Sequence, residues 1–208
     1  MLTPESYAAI REYGLRDCVF CAPPPELVLY KGTTVSALFD ISPLVPGHLI
    51  LHTNAHHGCV GEVPAHEHDE LVSLHDHLWQ QVRSAYGKVM SFEHGRAGHC
   101  LPGPRADRLC HHAHVHVLPV DVDLDPPLRA LYPRVPARTP ADLATVFDEY
   151  GGYLHVRRDQ SWAYPAETTA PHLLRTLVAT ALGHPERADW RSHADLDAVN
   201  EAITAYRC

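Results

Sequence analysis

Three histidines at alternate positions are the part of this sequence best suited to chemistry. His112, His114 and His116 are separated by alanine and valine, and the segment ends in Val-Leu-Pro. Because successive strand side chains point to opposite faces, the three imidazoles would line one wall at spacings of about 7 Å. A neutral imidazole is a competent nucleophile toward phosphorus, and three together could instead hold a catalytic zinc. The remaining interpretation is a half-exposed strand whose histidines have no role.

Cys18 and Cys21 form a Cys-x-x-Cys pair. Six cysteines in 208 residues are too few for a disulfide scaffold, and in a reducing compartment this spacing indicates metal or redox chemistry. No thioredoxin-like βαβ pattern follows the pair, which disfavours the redox interpretation. A closed tetrahedral zinc site would need two more nitrogen or sulfur ligands from elsewhere in the chain.

A sheet is needed to hold the histidine strand. Short apolar runs predict strands at residues 27–29, 35–39, 48–52, 89–92 and 112–118. Residues 64–87 predict one long helix with an apolar stripe formed by Leu71, Leu74, Leu78 and Val82. We therefore predict an α+β fold with a mostly antiparallel sheet of about five strands and one long helix packed across it.

The last part of the chain predicts a helical C-terminal extension. Residues 121–140 are acidic and then proline-rich, so we expect an irregular surface segment whose prolines exclude a helix. The segments that follow predict a helix, a hairpin around Arg158-Asp159 and two more helices, at residues 140–150, 171–182 and 194–207. We accordingly divide the chain into a catalytic domain, 1–120, and an extension, 121–208, that packs on the same core as a candidate substrate lid.

Charge and composition narrow the function classes. The chain is 45% hydrophobic, which is enough for one good core, and its net charge of -8 argues against a nucleic-acid surface. The first twenty residues lack a basic segment and an apolar segment, and no run reaches the eighteen apolar residues of a membrane span. We therefore expect a cytoplasmic protein with neither a membrane nor a nucleic-acid partner. A small anionic ligand could still bind in a locally basic pocket.

The sequence resembles the histidine triad (HIT) family, whose signature is three alternate histidines followed by apolar residues. Residues 37–43 (Ala-Leu-Phe-Asp-Ile-Ser-Pro), 46–50 (Pro-Gly-His-Leu-Ile) and His56 with Val60 look like the family's upstream block, in the same order and with similar spacing. The resemblance covers roughly residues 15–120. It points to the zinc-containing branch related to galactose-1-phosphate uridylyltransferase, with an extended C-terminal region, and implies the HIT-like fold.

This resemblance implies roles for residues around the triad. The family's middle histidine is the nucleophile, which makes His114 the residue that would carry a covalent nucleotidyl group. His116 would donate to the phosphate oxygens, and His48 would orient the nucleophile or bind the phosphate. Asp40 and Ile41 lie where the family binds the nucleoside, so the Asp40 carboxylate would accept the ribose hydroxyls. The alternative for Asp40 is a turn residue before Ser42-Pro43.

The resemblance also completes a metal site. Zinc-containing members take their two remaining ligands from an upstream histidine and from the first triad histidine. By position these are His56 and His112 beside Cys18 and Cys21, and His57 is the alternative to His56. Such a zinc would be structural, because it ties the N-terminal segment to the strand that carries the nucleophile.

Two departures from the family leave details open. Leu109 stands where many members have a serine that helps to protonate the leaving group, so that proton must come from another source. The usual Asn-x-Gly segment is replaced by Phe92-Glu93-His94-Gly95. We take His94 and Arg108 as candidate substrate ligands, with Arg105 and His111 as further candidates in the same loop.

The function that follows is a nucleotide hydrolase or nucleotidyl transferase acting at the α-phosphate of a nucleotide conjugate. A dinucleoside polyphosphate phosphorylase-type enzyme, a metallohydrolase and a non-catalytic nucleotide-binding zinc protein are the alternatives. A triad-bound catalytic zinc would leave the Cys-x-x-Cys pair unexplained. The resemblance further implies a homodimer, formed through the sheet and the long helix.

Overall fold

The computed structural model describes residues 1–97 and 112–207. Within these residues the strands form a single antiparallel sheet of eight, in the order β1-β2-β3-β5-β4-β7-β8-β6. The strands are β1 Val28–Lys31, β2 Val35–Phe39, β3 Leu49–Thr53, β4 Met90–Gly95, β5 His114–Leu118, β6 Val135–Pro136, β7 Tyr153–Arg157 and β8 Ser161–Pro165.

Six α-helices flank this sheet in the described part of the chain. They are α1 Pro4–Arg16, α2 His68–Tyr86, α3 Asp125–Arg129, α4 Pro140–Tyr150, α5 Leu173–Ala181 and α6 Leu196–Arg207. Local sequence explains several of their ends. Thr3 and Thr139 begin α1 and α4 with capping boxes, and α2 ends at Gly87, whose φ of 78° is costly for other residues. The long helix predicted over residues 64–87 is therefore confirmed as α2.

The prediction of about five strands was wrong, because the sheet has eight. The four other predicted strands, β1 to β4, share the sheet with the histidine strand as expected, but β7 also pairs with β4, from Ser91↔Arg157 to Gly95↔Tyr153. The Arg158-Asp159 hairpin is present as β7 and β8, and the sequence did not indicate which sheet edge it would join. An unpaired β4 edge would leave a row of backbone groups without partners, and the hairpin satisfies them.

Residues 121–140 also differ from expectation. We predicted no helix there, yet α3 begins at Asp125 and contains Pro126 and Pro127. Both prolines occupy the first turn, where a helix needs no amide donor and a fixed φ is favourable. A two-residue strand, β6, then pairs with β8.

The two faces of the sheet bury two hydrophobic clusters. One cluster joins α2, α6 and the inward residues of β2, β3 and β5, including Val115 and Val117. The other lies on the opposite face and joins β4, β7, α3 and α5 through residues such as Phe92, Leu154 and Leu174. Strand alternation in β5 thus buries the valines against α2 and turns His114 and His116 to the opposite face.

None of the helices in residues 1–97 and 112–207 has the length and apolar character needed to cross a membrane.

Leu174→Ala tests whether the C-terminal part belongs to the same cooperative unit as α2. Leu174 is fully buried in α5, so we expect the free energy of unfolding to fall by about 2–5 kcal/mol. Leu131→Ala is the matched control, because Leu131 is 65% exposed and should change stability by less than about 0.5 kcal/mol. Urea unfolding followed by far-UV circular dichroism measures both variants, and fluorescence in a Trp162→Phe/Trp190→Phe background, where Trp79 is the one remaining tryptophan, reports on α2. A Leu174→Ala variant whose Trp79 transition is unshifted would show two independent units.

Candidate functional site

The histidine strand lies in the middle of the sheet, between β3 and β4. Register pairs His52 with His114 and Ile50 with His116. The rings of His114 and His116 lie 5.0 Å apart on the same side of the strand. His112 precedes the first residue of β5, and its ring lies instead 4.6 Å from that of His56. The three triad side chains therefore lie in two adjoining clusters.

The orientation of His114 is set by the backbone of its own segment. His114 Nδ1 lies 2.7 Å from the carbonyl oxygen of His112, a distance at which Nδ1–H donates to that oxygen. Burial lowers the pKa of His114 to about 4, so the ring is neutral at pH 7 and Nε2 carries a lone pair. His114 lines the cavity described below, and a neutral imidazole presented in this way is suited to nucleophilic attack.

His116 and His48 form a second, buried pair of rings. His48 Nε2 lies 2.9 Å from His116 Nδ1, and the backbone amide of Leu44 donates to His48 Nδ1 at 3.2 Å. Burial lowers the pKa of both rings, to about 4 for His48, so both are neutral. A neutral His48 that accepts from Leu44 keeps its proton on Nε2 and donates it to His116. His116 then holds its own proton on Nε2, where it can donate onward.

Four side chains converge to form a candidate metal centre. The ligand atoms of Cys18, Cys21, His56 and His112 all lie within 4.8 Å of one another. Cys21 Sγ is 3.0 Å from His56 Nδ1 and 3.6 Å from His112 Nδ1, and Cys18 Sγ is 3.5 Å from the latter nitrogen. These are the four residues that the sequence resemblance selected. His57 does not take part, since its Nε2 lies 3.7 Å from a carboxylate oxygen of Glu67.

The donor set and its surroundings fit a divalent metal ion. His112 Nε2–H donates to the Thr53 carbonyl at 2.7 Å, which leaves Nδ1 unprotonated on the side of the cysteines. Burial and the neighbouring Cys18 raise the pKa of Cys21 to about 11, and a bound cation would stabilise both thiolates. Two sulfur and two imidazole donors form a closed set of the kind typical of structural sites.

A second group of potential ligands, Asp40, His48 and His116, fits a metal ion poorly. The ring nitrogens His48 Nε2 and His116 Nδ1 are hydrogen-bonded to each other, and His48 Nδ1 accepts from Leu44. These bonds use the lone pairs that a metal ion would need. The geometry therefore does not favour a metal ion in this group, and a metal ion held by all three triad histidines is disfavoured because His112 lies with the cysteines instead.

A cavity of about 100 Å³ opens beside the triad. Apolar side chains form most of one wall, and three C-terminal residues, His172, Arg175 and Trp190, also line it. Phe20, from within the Cys-x-x-Cys loop, stacks on the His114 ring with centroids 4.8 Å apart and planes at 25°. The cysteine loop is thus in direct contact with the ring of the candidate nucleophile.

The remaining predicted substrate residues have different positions. Asp40 and Ile41 are buried and line the cavity, and Asp40 is paired with Arg175 at 3.1 Å. His94 also lines the cavity, and its Nε2 accepts the backbone amide of Leu174 at 3.1 Å. Arg108, like Arg105, Leu109 and His111, lies outside the described residues.

Phe20 and Arg175 make specific contacts in this site that sequence reasoning missed. Phe20 lies between two predicted metal ligands, Cys18 and Cys21, so its place in the sequence could have indicated that it lies near the histidine strand. Arg175 lies in the segment predicted as a C-terminal helix, and the structure buries it beside Asp40, 135 residues away in sequence. No sequence pattern indicates that pairing.

Comparisons with known proteins return similarities of structure only. No protein-family model and no curated protein sequence matches the chain. Similar solved structures include a HIT family protein from Bacillus anthracis, with 15% identity, a TM-score of 0.39 and coverage of 65% of this chain and 96% of that one. A HIT family hydrolase from Clostridium thermocellum has 24% identity, a TM-score of 0.35 and coverage of 52% and 94%. The yeast Ap4A phosphorylase in complex with AMP has 12% identity, a TM-score of 0.43 and coverage of 86% and 80%. Similarity at this level does not assign a family or an activity.

We expect the stability of the protein to be sensitive to acid, because several histidines are desolvated in the folded state. Burial lowers the pKa of His48 and His155 to about 4 and that of His94 to about 3, from 6.5. Below pH 6.5 the unfolded chain binds protons that the folded chain does not, so stability falls as the pH drops toward 4. The loss approaches about 1.4 kcal/mol per ring per pH unit.

Urea unfolding at a series of pH values between about 7.5 and 5 measures this loss. His155→Gln, whose ring lies outside the cavity, should reduce the slope of the unfolding free energy against pH by the share of one histidine. An unfolding free energy that is constant over this range would contradict the prediction.

Proposed function

We propose that this chain is a HIT-type nucleotidyl hydrolase or transferase that acts at the α-phosphate of a nucleotide conjugate. The observation that carries the proposal is the His114 hydrogen bond to the His112 carbonyl, which leaves Nε2 as the nucleophilic atom beside the cavity. The neutral state of His114 and the adjacent His116 ring support the same chemistry. No described residue group offers a better catalytic arrangement in this cavity.

The reaction has two steps. In the first, His114 Nε2 attacks the α-phosphorus, a P–N bond forms, and the leaving group departs with the electron pair of its bond to phosphorus. In the second, water or another acceptor attacks the same phosphorus, loses a proton to solvent and displaces His114. His116 Nε2–H would donate to a phosphate oxygen as its charge increases, and His48 would hold His116 in place.

The other walls of the cavity would select the substrate. Ile41 and the apolar lining would hold the base, and Asp40 and His94 would meet the sugar and phosphate by hydrogen bonding. His172 and Trp190 place the C-terminal part at the same cavity, which supports a role for it in closing over substrate.

A homodimer through the sheet and α2 is part of the same proposal, and sedimentation at micromolar concentration tests it.

His114→Ala tests the covalent route. We expect turnover to fall by about 10⁴-fold or more, because an entire two-step pathway is lost, while nucleotide binding survives. His116→Ala should cost about 10²–10³-fold, as is typical for one transition-state donor. The assay follows release of nucleoside monophosphate from nucleoside phosphoramidates, dinucleoside polyphosphates and nucleotide sugars.

Trapping the intermediate gives an independent check. Wild-type protein incubated with labelled substrate and quenched without acid should carry nucleoside monophosphate on residue 114, and His114→Ala should carry none. If the His114 variant keeps near-normal turnover while the His116 variant is inactive, the roles along β5 are exchanged. No turnover by wild type on any of the three substrate classes would favour a nucleotide-binding protein without activity.

We further propose that Cys18, Cys21, His56 and His112 hold one structural zinc ion. When bound, zinc would keep both cysteines ionised and add a covalent connection between the N-terminal loop and the segment before β5. The chain's own residues do the positioning. Phe20 packs on His114 from within the loop, and His112 donates to Thr53 on β3.

Cys18→Ser should reduce zinc from one ion per chain to nearly none and lower the thermal midpoint by roughly 10 °C, because metal-binding energy contributes to folding. Cys59→Ala is the matched control, since Cys59 is buried away from the cluster and should keep the metal. Elemental analysis and thermal denaturation measure the two effects. Equal zinc content in both variants, or no zinc in the wild type, would be incompatible with the site.

A further inference from the structure

Arg175 is a buried cation that α5 brings to the β2–β3 connection. Its side chain is 5% exposed. Its Nη1 donates to Asp40 Oδ2 at 3.1 Å, and the other nitrogens donate to the carbonyls of Ser42, Arg187 and Ala188 at 2.7, 3.2 and 3.0 Å. A guanidinium with this many buried partners is held in one position.

Asp40 lies between Arg175 and the His48–His116 pair. Its Oδ1 accepts the Ser42 amide at 2.7 Å. Its Oδ2 lies 3.3 Å from His48 Nδ1 and 3.7 Å from His116 Nδ1, in addition to the contact with Arg175. The carboxylate is therefore close enough to compete for the proton of His48.

Two arrangements of protons are possible in the His48–His116 pair. In the first, His48 Nδ1 accepts the Leu44 amide, His48 Nε2–H donates to His116 Nδ1, and His116 has its proton on Nε2. In the second, His48 Nδ1–H donates to Asp40, His48 Nε2 accepts from His116 Nδ1–H, and His116 Nε2 has a bare lone pair. Only the first arrangement gives His116 a donor beyond the pair.

We propose that Arg175 is a positioning residue that selects the first arrangement. Its guanidinium donates to Asp40 Oδ2, which makes that oxygen a weaker acceptor for His48 Nδ1–H. The Leu44 amide, which donates to His48 Nδ1, then determines the tautomer of His48. Without Arg175 the charge of the buried Asp40 carboxylate is uncompensated, and the carboxylate accepts a hydrogen bond from His48 Nδ1–H. The C-terminal part of the chain thereby controls which nitrogen of His116 is protonated.

The consequence for chemistry rests on the proposed function. A lone pair on His116 Nε2 would face a negatively charged phosphate oxygen, whereas an N–H would stabilise it. The tautomer itself can be observed without any substrate. Failure of the proposed activity and failure of this inference are therefore separate results.

The experiment measures the tautomer of His116 by two-bond ¹H–¹⁵N correlation on the ¹⁵N-histidine-labelled full-length chain at about pH 7.5. His116→Gln identifies the resonances. Wild type should show the proton on Nε2, and Arg175→Gln should move it to Nδ1. If the chain is active, Arg175→Gln should also lower kcat by about 10²-fold with little change in KM.

Arg187→Gln is the matched control. Arg187 Nη1 donates to the Leu44 carbonyl at 3.0 Å, so its loss loosens the same connection without changing the Asp40 charge, and His116 should keep Nε2–H. The double variant Asp40→Asn/Arg175→Gln removes both charges and should return the proton to Nε2; it also serves if Arg175→Gln does not fold. A wild-type proton on Nδ1, an unchanged tautomer in Arg175→Gln, or a double variant protonated on Nδ1 would overturn the proposal.

Discussion

His112 joins three parts of the molecule through three different atoms. Its Nε2–H donates to Thr53 on β3, its Nδ1 points to the two cysteines, and its carbonyl oxygen accepts from His114 Nδ1. The first bond determines which nitrogen is available to a metal, and the third determines which nitrogen of His114 is available to a substrate. A displacement of this one residue would disturb the candidate metal centre, the contact with β3 and the orientation of His114 together.

The C-terminal part of the chain completes this arrangement from the other side. Its hairpin extends the sheet from β4, and α5 brings Arg175 to a buried carboxylate. Buried ion pairs are costly to desolvate, and apolar replacements of similar volume are often no less stable. Arg175 and Asp40 are therefore better explained by what they position than by stability. Both lie at the cavity that the histidines share.

Much of the fold was accessible from local sequence. Strand alternation predicted that His114 and His116 would oppose Val115 and Val117, and the structure confirms it: the valines pack in the cluster with α2, whereas both histidines line the cavity on the other face. Thr3, Thr139 and Gly87 are local signals that coincide with helix ends in the structure. The predicted number of strands was wrong, because the docking of a hairpin depends on an unpaired strand edge elsewhere in the sheet. The prediction of no helix in residues 121–140 was also wrong, because in sequence the prolines of a first helical turn look the same as prolines that exclude a helix.

The sequence by itself determined the residue types and spacings: the alternate histidines, the cysteine pair and the resemblance that grouped four ligands. These are properties of short segments, in which backbone periodicity fixes direction. Tertiary structure alone decided the proton positions and the charge balance, because these depend on single atoms brought together from distant segments. The Leu44 amide at His48, Phe20 on His114 and Arg175 beside Asp40 are contacts of that kind. A hydrogen bond is lost within about an ångström, so only packing of the whole chain can establish it.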